Sequence, residues 1–284
     1  MTSLYRERHL SAQDGLQLYY RDYGDEGGSK IPLLCLSGLT RNSQDFADLA
    51  ERFAASRRVI CPDYRGRGRS AYDPDWRNYD PMIYLNDIGH ILMANDIHRF
   101  VVIGTSLGGL LAMGLAVTRP TGIAAAVIND IGPDVDPGGL ARIIAFIGAD
   151  RPQPDWPSAV AMLRQSLPRL AIRDAPWWER FARATYREGK DGLLHFDWDI
   201  ALAEPLRRGR GEIQDLWPIF RALRDTPVLA VRGAISDVLT SDGLRRMIAA
   251  KPDLAAVTVP GIGHTPTLDE PEIRGVLDDF IARF

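Results

Sequence analysis

Ser106 sits in the pentapeptide Gly104-Thr105-Ser106-Leu107-Gly108, directly after the apolar run Phe100-Val101-Val102-Ile103. Such a β-branched run reads as a buried strand. Leu107 to Thr118 is apolar nearly all round and reads as a buried helix. A serine at a strand-to-helix corner has its hydroxyl pushed out of the turn, and small residues on both sides let the backbone bend that sharply. The chemistry this permits is nucleophilic attack. A hydroxyl is a poor nucleophile at neutral pH, so it needs a base within hydrogen-bond reach and a carboxylate to orient that base. The pentapeptide also arises as an ordinary glycine-rich turn, so the flanking elements and the partners carry the reading.

The chain has five histidines. His9 is expected ahead of the sheet. His90 and His98 fall in or just after a long helix, before the nucleophile strand, and His195 lies in an irregular middle stretch. Only His264 sits in a loop after a late strand, flanked by Gly261, Gly263 and Pro266. Parallel sheets carry their sites at the carboxyl ends of strands, which makes His264 the expected base. Asp237 follows the apolar strand Val228 to Val231, in the loop Gly233-Ala234-Ile235-Ser236-Asp237, and is the expected acid. The chain order is then Ser, Asp, His. Asp130, which ends the strand Ala124 to Asn129, is the alternative acid; it also suits the start of a turn out of the sheet. A developing oxyanion needs two fixed N–H donors. One is expected from Leu107, where the helix dipole helps, and the other from Leu39 in Ser37-Gly38-Leu39.

The elements that must position these residues alternate. Leu16 to Tyr20, Ile31 to Leu36 and Arg58 to Cys61 read as strands, as do Phe100 to Gly104 and Ala124 to Ile128. Ser43 to Ala55 and Tyr79 to Asn95 read as helices between them. Strand logic resumes at Pro227 to Arg232 and Ala255 to Val259, and a last helix runs from about Glu270 to Phe284. This alternation predicts a parallel sheet with helices on both faces. It breaks between about Ile131 and Thr226, where three prolines precede helix-like segments such as Pro157 to Leu167 and Trp177 to Arg187. Trp156, Trp177, Trp178, Trp198 and Trp217 lie there, five of the six tryptophans. Most are expected to pack the segment's own helices, with some forming an aromatic pocket wall that suits a small-molecule substrate with an apolar part.

Composition narrows the function classes. With 284 residues, 45% hydrophobic, the chain can bury a sizeable core. A net charge of −3 gives no basis for nucleic-acid binding, and Arg207-Arg208-Gly209-Arg210 is too short for a binding patch. No apolar run is long enough for a membrane span. Met1 to His9 is polar and charged, so no secretory signal is expected and a cytoplasmic location fits. Cys35 and Cys61 are expected to be buried free thiols. No metal or other cofactor is implied by the scattered histidines and cysteines. Oligomeric state is not legible.

Taken together, these stretches resemble the α/β-hydrolase superfamily, in its capped group of small bacterial esterase-like and lactonase-like enzymes. Ser37-Gly38-Leu39 stands where that family usually has His-Gly-X; Asp63-Tyr64-Arg65-Gly66-Arg67-Gly68-Arg69-Ser70 matches its loop after the fourth strand. Gly104 to Gly109, Gly233 to Asp237, Gly261 to His264 and Asp269-Glu270-Pro271 match in family order. The resemblance implies an α/β fold with a mostly parallel eight-stranded sheet flanked by helices and a helical cap inserted after strand 6. Residues 1–130 and 227–284 would form the core domain and 131–226 the cap. The serine in place of the family histidine keeps a hydroxyl that can support the loop. Arg65, Arg67 and Arg69 are expected to be structural or solvated, since the loop lacks the Lys-Ser/Thr ending of a nucleotide loop. The implied activity is serine hydrolysis of a small carboxylic ester or lactone. One alternative is carbon–carbon cleavage of ring-fission products by the same triad, with Arg142, Arg173 or Arg183 holding a carboxylate. Another is a ligand-binding protein on a hydrolase scaffold.

Overall fold

The computed structural model describes residues 4–167, 170, 174–208 and 215–284. An antiparallel hairpin, β1 (Tyr5–Ser11) and β2 (Gln17–Tyr23), opens the chain. β3 (Leu33–Leu36), α1 (Ala47–Ala54), β4 (Val59–Asp63), α2 (Pro81–Ala94), β5 (Phe100–Thr105), α3 (Leu107–Thr118) and β6 (Ile123–Asn129) then alternate. After β6 the chain leaves the sheet through α4 (Pro137–Ile147), α5 (Trp156–Ser166) and α6 (Ala175–Arg183). A small hairpin follows, β7 (Tyr186–Glu188) and β8 (Leu194–Phe196), then α7 (Glu204–Arg208) and α8 (Trp217–Arg221). The sheet resumes with β9 (Val228–Gly233), α9 (Ser241–Ala250) and β10 (Ala255–Val259), and α10 (Pro271–Ala282) closes the chain.

The eight sheet strands lie in the order β1-β2-β4-β3-β5-β6-β9-β10. β2 is antiparallel to both neighbours, and every pair from β4 to β10 is parallel. The central strands are buried on both faces, as parallel strands covered by helices must be. On β5, Phe100 and Val102 join one apolar cluster, and Val101 and Ile103 join the cluster on the opposite face. Cys35 and Cys61 lie in this core as free thiols, and burial holds the Cys61 thiol well above its usual range.

Two elements differ from the sequence expectation. His9 lies within β1, not ahead of the sheet. Arg6, Glu7 and Arg8 mask the strand period, as charges commonly do on an edge strand. The expected helix over Trp177 to Arg187 ends earlier, because Tyr186 to Glu188 pairs with Leu194 to Phe196. Three-residue strands carry too few alternations to show a period. No helix among the described residues is long and apolar enough to cross a membrane.

The approach of α3 to the sheet depends on glycine. A Cβ on Gly104 would lie 2.2 Å from the Gly108 carbonyl oxygen, and one on Gly108 would lie 2.0 Å from the Leu36 carbonyl oxygen. Both obstacles are backbone, so neither can rotate away. Gly104→Ala is expected to force α3 off β5 and to destabilise the fold by about 3 kcal/mol or more, read by denaturant unfolding. A wild-type midpoint would show that the contact is not tight.

Candidate active site

Ser106 is the residue before α3, with φ 53° and ψ −117°. A non-glycine residue there is strained and persists only where its surroundings fix it. The fixing contacts are the Ser106 N–H donating to Asn129 O (2.9 Å) and the Gly109 N–H donating to Ser106 O (2.8 Å). Ser106 Oγ lies 2.9 Å from His264 Nε2, and His264 Nδ1 lies 2.8 Å from Asp130 Oδ2. The Asp130 side chain is fully buried and that of His264 is 9% exposed. Asp130 Oδ1 accepts the Gly233 N–H (2.8 Å) and Oδ2 accepts the Ser236 hydroxyl (2.6 Å). An acceptor-only carboxylate makes Nδ1 the donor, leaving Nε2 to accept the Ser106 proton.

The expected acid, Asp237, is placed elsewhere. Its two oxygens accept from Arg142 Nε (2.7 Å) and Nη2 (2.8 Å) on α4, and that guanidinium holds its carboxyl below the usual range. Nδ1 donates a single hydrogen bond, and Asp130, the alternative acid, occupies it. The reason lies in the loop after β9. It turns so that Ser236 faces Asp130, while the Asp237 backbone packs against α4, where a Cβ on Gly139 would lie 2.0 Å from the Asp237 carbonyl oxygen.

The Ser37-Gly38-Leu39 loop borders the same space; a Cβ on Gly38 would lie 3.8 Å from Ser106 Cβ. Ser37 Oγ donates to Arg41 O (3.0 Å), so the serine braces the loop. The Tyr64 hydroxyl donates to Ser37 O (3.2 Å), and Arg67 Nε donates to Leu39 O. Arg67 is buried over the Tyr64 and Tyr84 rings, and Arg65 is buried in ion pairs with Asp87 and Asp73. Both are structural, as expected; Arg69 is the exposed one. Leu107 opens α3, so helix geometry gives its N–H no carbonyl partner and leaves it as a donor beside Ser106.

The sequence reading passed over two positioning groups. Asn129 Nδ2 donates to Thr105 Oγ1 (3.1 Å) and to Pro266 O (2.8 Å), tying the serine turn to the histidine loop. An amide ending an otherwise apolar strand was the available signal. Glu270 Oε1 accepts the Thr267 N–H (2.8 Å) and hydroxyl (2.9 Å), bracing the same loop.

Ser106 and His264 open onto a cavity of about 650 Å³. Its far walls come from the segment between β6 and β9, chiefly Ile143, Phe146, Leu163, Trp177, Phe181 and Trp198. Two tryptophans thus line it; Trp156 packs under Arg183, while Trp178 and Trp217 pack against Phe181 and Phe220. Arg142 and Arg183 border the cavity, and Arg173 lies outside the described residues, as do Gly209 and Arg210. The segment is also tied to the loops beneath it. Arg41 Nη1 donates to Thr185 Oγ1 (2.6 Å), Asn42 Nδ2 to Ala184 O (3.0 Å), and the Gly68 N–H to Asp197 O (3.0 Å). Among the described residues no group of three His, Cys, Asp or Glu side chains could hold a metal ion.

A strained serine turn after β5 faces a histidine loop after the last strand, on a mostly parallel sheet of this order. The chain belongs to the alpha/beta hydrolase family, whose model matches residues 33–273. It is 32% identical over 276 residues to the 3-hydroxybutyrate-oligomer hydrolase of Cupriavidus necator, covering 94% of this chain and 93% of that protein. It is 29% identical over 252 residues to the 2-(acetamidomethylene)succinate hydrolase of Mesorhizobium japonicum, covering 87% and 86%. An alpha/beta hydrolase from Novosphingobium aromaticivorans superposes with a TM-score of 0.93 at 44% identity over the whole of both chains.

The Asp197 side chain sits where the inserted segment meets Asn42, whose amide donates to it (3.3 Å). Burial, opposed chiefly by the Arg187 charge, pushes its carboxyl up to about 6. An acid with a raised folded value binds its proton more tightly folded than unfolded. Stability therefore falls as pH rises from about 4, near the unfolded value, to about 6, and stays lower above that. Asp197→Asn is expected to flatten this slope and to stabilise the protein at pH 7–8 by roughly 1–3 kcal/mol, read by thermal unfolding of both proteins from pH 4 to 8. An unchanged slope would assign the dependence to another group.

Proposed function

We propose that this chain is a serine hydrolase of a small carboxylic ester or lactone, acting through an acyl-enzyme. The observation that carries this reading is the hydrogen-bond chain Ser106–His264–Asp130 opening onto the cavity. Ser106 Oγ attacks the carbonyl as His264 Nε2 takes its proton, and Asp130 stabilises the imidazolium. The N–H groups of Leu39 and Leu107 receive the oxyanion. His264 returns the proton to the departing alkoxide, and water then attacks the acyl-enzyme by the same route. The residues from 131 to 226 serve as a cap whose apolar wall takes the carbon chain.

Ester chemistry is favoured by the likeness to a hydrolase named for 3-hydroxybutyrate oligomers. Carbon–carbon cleavage by the same three residues is the second reading, favoured by Arg142 and Arg183 on the cavity wall, which could hold a carboxylate. A panel of chromogenic esters of graded acyl length, lactones and a ring-fission ketone separates the two readings. Binding without turnover across that panel would favour a ligand-binding role.

Ser106→Ala is expected to lower kcat by about 10³-fold or more, and an organophosphonate should label Ser106 alone. Asp130→Asn is expected to lower kcat by about 10²- to 10⁴-fold, against less than about tenfold for Asp237→Asn. The reverse ranking would return the acid role to Asp237.

A further inference from the structure

Arg142 borders two spaces. One is the cavity over Ser106; the other, of about 240 Å³, is lined by Arg142, Ala145, Phe146, Arg151, Ser166 and Leu167. Arg142, Phe146 and Leu167 belong to both walls, so the two spaces adjoin along that edge. Arg142 and Phe146 stand four residues apart on α4 and so share a face. Arg151, just beyond α4, lays its guanidinium over the Phe146 ring at 5.1 Å. The smaller space therefore has two guanidinium groups over walls that are otherwise mostly apolar.

The two cations are held differently. Asp237 grips Arg142 by Nε and Nη2, which fixes the plane of the fork and leaves Nη1 for a further acceptor. Arg151 has no ion pair among the described residues. The neighbouring acid, Asp150, is turned to His195 Nδ1 (2.5 Å) and to the N–H groups of Arg151 and Phe196. Among the described residues, the two guanidinium groups on the wall of the smaller space thus have one ion-pair partner, Asp237 on Arg142. A fixed guanidinium with donors to spare, next to a second one stacked on a ring, suits a planar oxyanion.

We infer that this smaller cavity is an anion-binding annex of the active site, and that the preferred esters carry a carboxylate at the end remote from the reacting carbonyl. This rests on the ester-hydrolase reading above and names its substrate class. The carboxylate accepts from Arg142 Nη1 and Arg151. The chain joining it to the reacting carbonyl runs past Phe146 and Leu167, which border both spaces. Arg142 and Arg151 are then specificity-determining residues, and one spacer length is preferred because both ends of the substrate are held.

The test is a series of 4-nitrophenyl monoesters of straight-chain dicarboxylic acids, from succinate to suberate, each paired with its methyl-capped counterpart. At one spacer length the wild-type kcat/KM should favour the free carboxylate by about tenfold, the size of one charge-assisted contact. That ratio should fall towards one in Arg151→Leu and in Arg142→Gln, through KM, and shrink with added salt. A wild-type ratio of one or less at every length, or a ratio unchanged in both variants, overturns the proposal. Turnover of neither ester would count against the hydrolase reading instead. The annex is then read by calorimetry with monomethyl esters of the same diacids and Ser106→Ala protein. Binding that is lost with Arg151→Leu upholds the annex, and no binding overturns it.

Discussion

A buried carboxylate is the constraint around which the site is organised. Asp130 has no exposed side-chain surface, and an ion in such a place costs several kcal/mol unless hydrogen-bonded. Its donors are the Gly233 N–H at the end of β9, the Ser236 hydroxyl in the following loop, and His264 Nδ1. Satisfying one charge therefore ties two separate stretches of chain, residues 233–236 and the histidine loop, to the end of β6. The preceding residue, Asn129, does the same with neutral groups: its carbonyl holds the Ser106 N–H and its amide spans Thr105 and Pro266. Two adjacent residues at the end of β6 thus set both the strained serine turn and the histidine facing it.

The loop after β4 supplies the second half of the arrangement. Arg67 and Tyr64 grip the carbonyls of Leu39 and Ser37, which orients that loop without occupying its N–H groups. Arg65 beneath is held by Asp87 through two parallel bonds of 2.8 Å each. A cation this deep is tolerable only with such geometry, and removing one partner would leave the other charge stranded. The basic look of the stretch from Arg65 to Arg69 therefore reflects internal scaffolding, with only Arg69 facing solvent.

Ser106 and His264 were legible in the sequence because each depends on local order: a strand ending in small residues, and a glycine-flanked loop after a late strand. The acid was not settled by such signals. Asp130 and Asp237 both follow apolar strands, and the choice depends on which side chain of the loop after β9 turns inward. Arg142, far away in sequence, contributes by engaging Asp237 across the cavity edge. The parallel order was readable from alternating apolar runs. β1 and the β7–β8 hairpin were not, since charge masked one and brevity the other.

The bonds from Arg41, Asn42 and Gly68 to Thr185, Ala184 and Asp197 bear on how this architecture can be recombined. The segment between β6 and β9 enters and leaves the sheet at two neighbouring strands, which invites its exchange as a cassette between relatives. Yet its hairpin region is stitched to two loops that a cassette boundary would leave behind. A chimera that imports the segment without residues 41–42 and 66–68 would inherit the recipient's pocket floor beneath the donor's pocket roof. An exchange of this segment keeps those bonds where residues 41–42 and 66–68 travel with it.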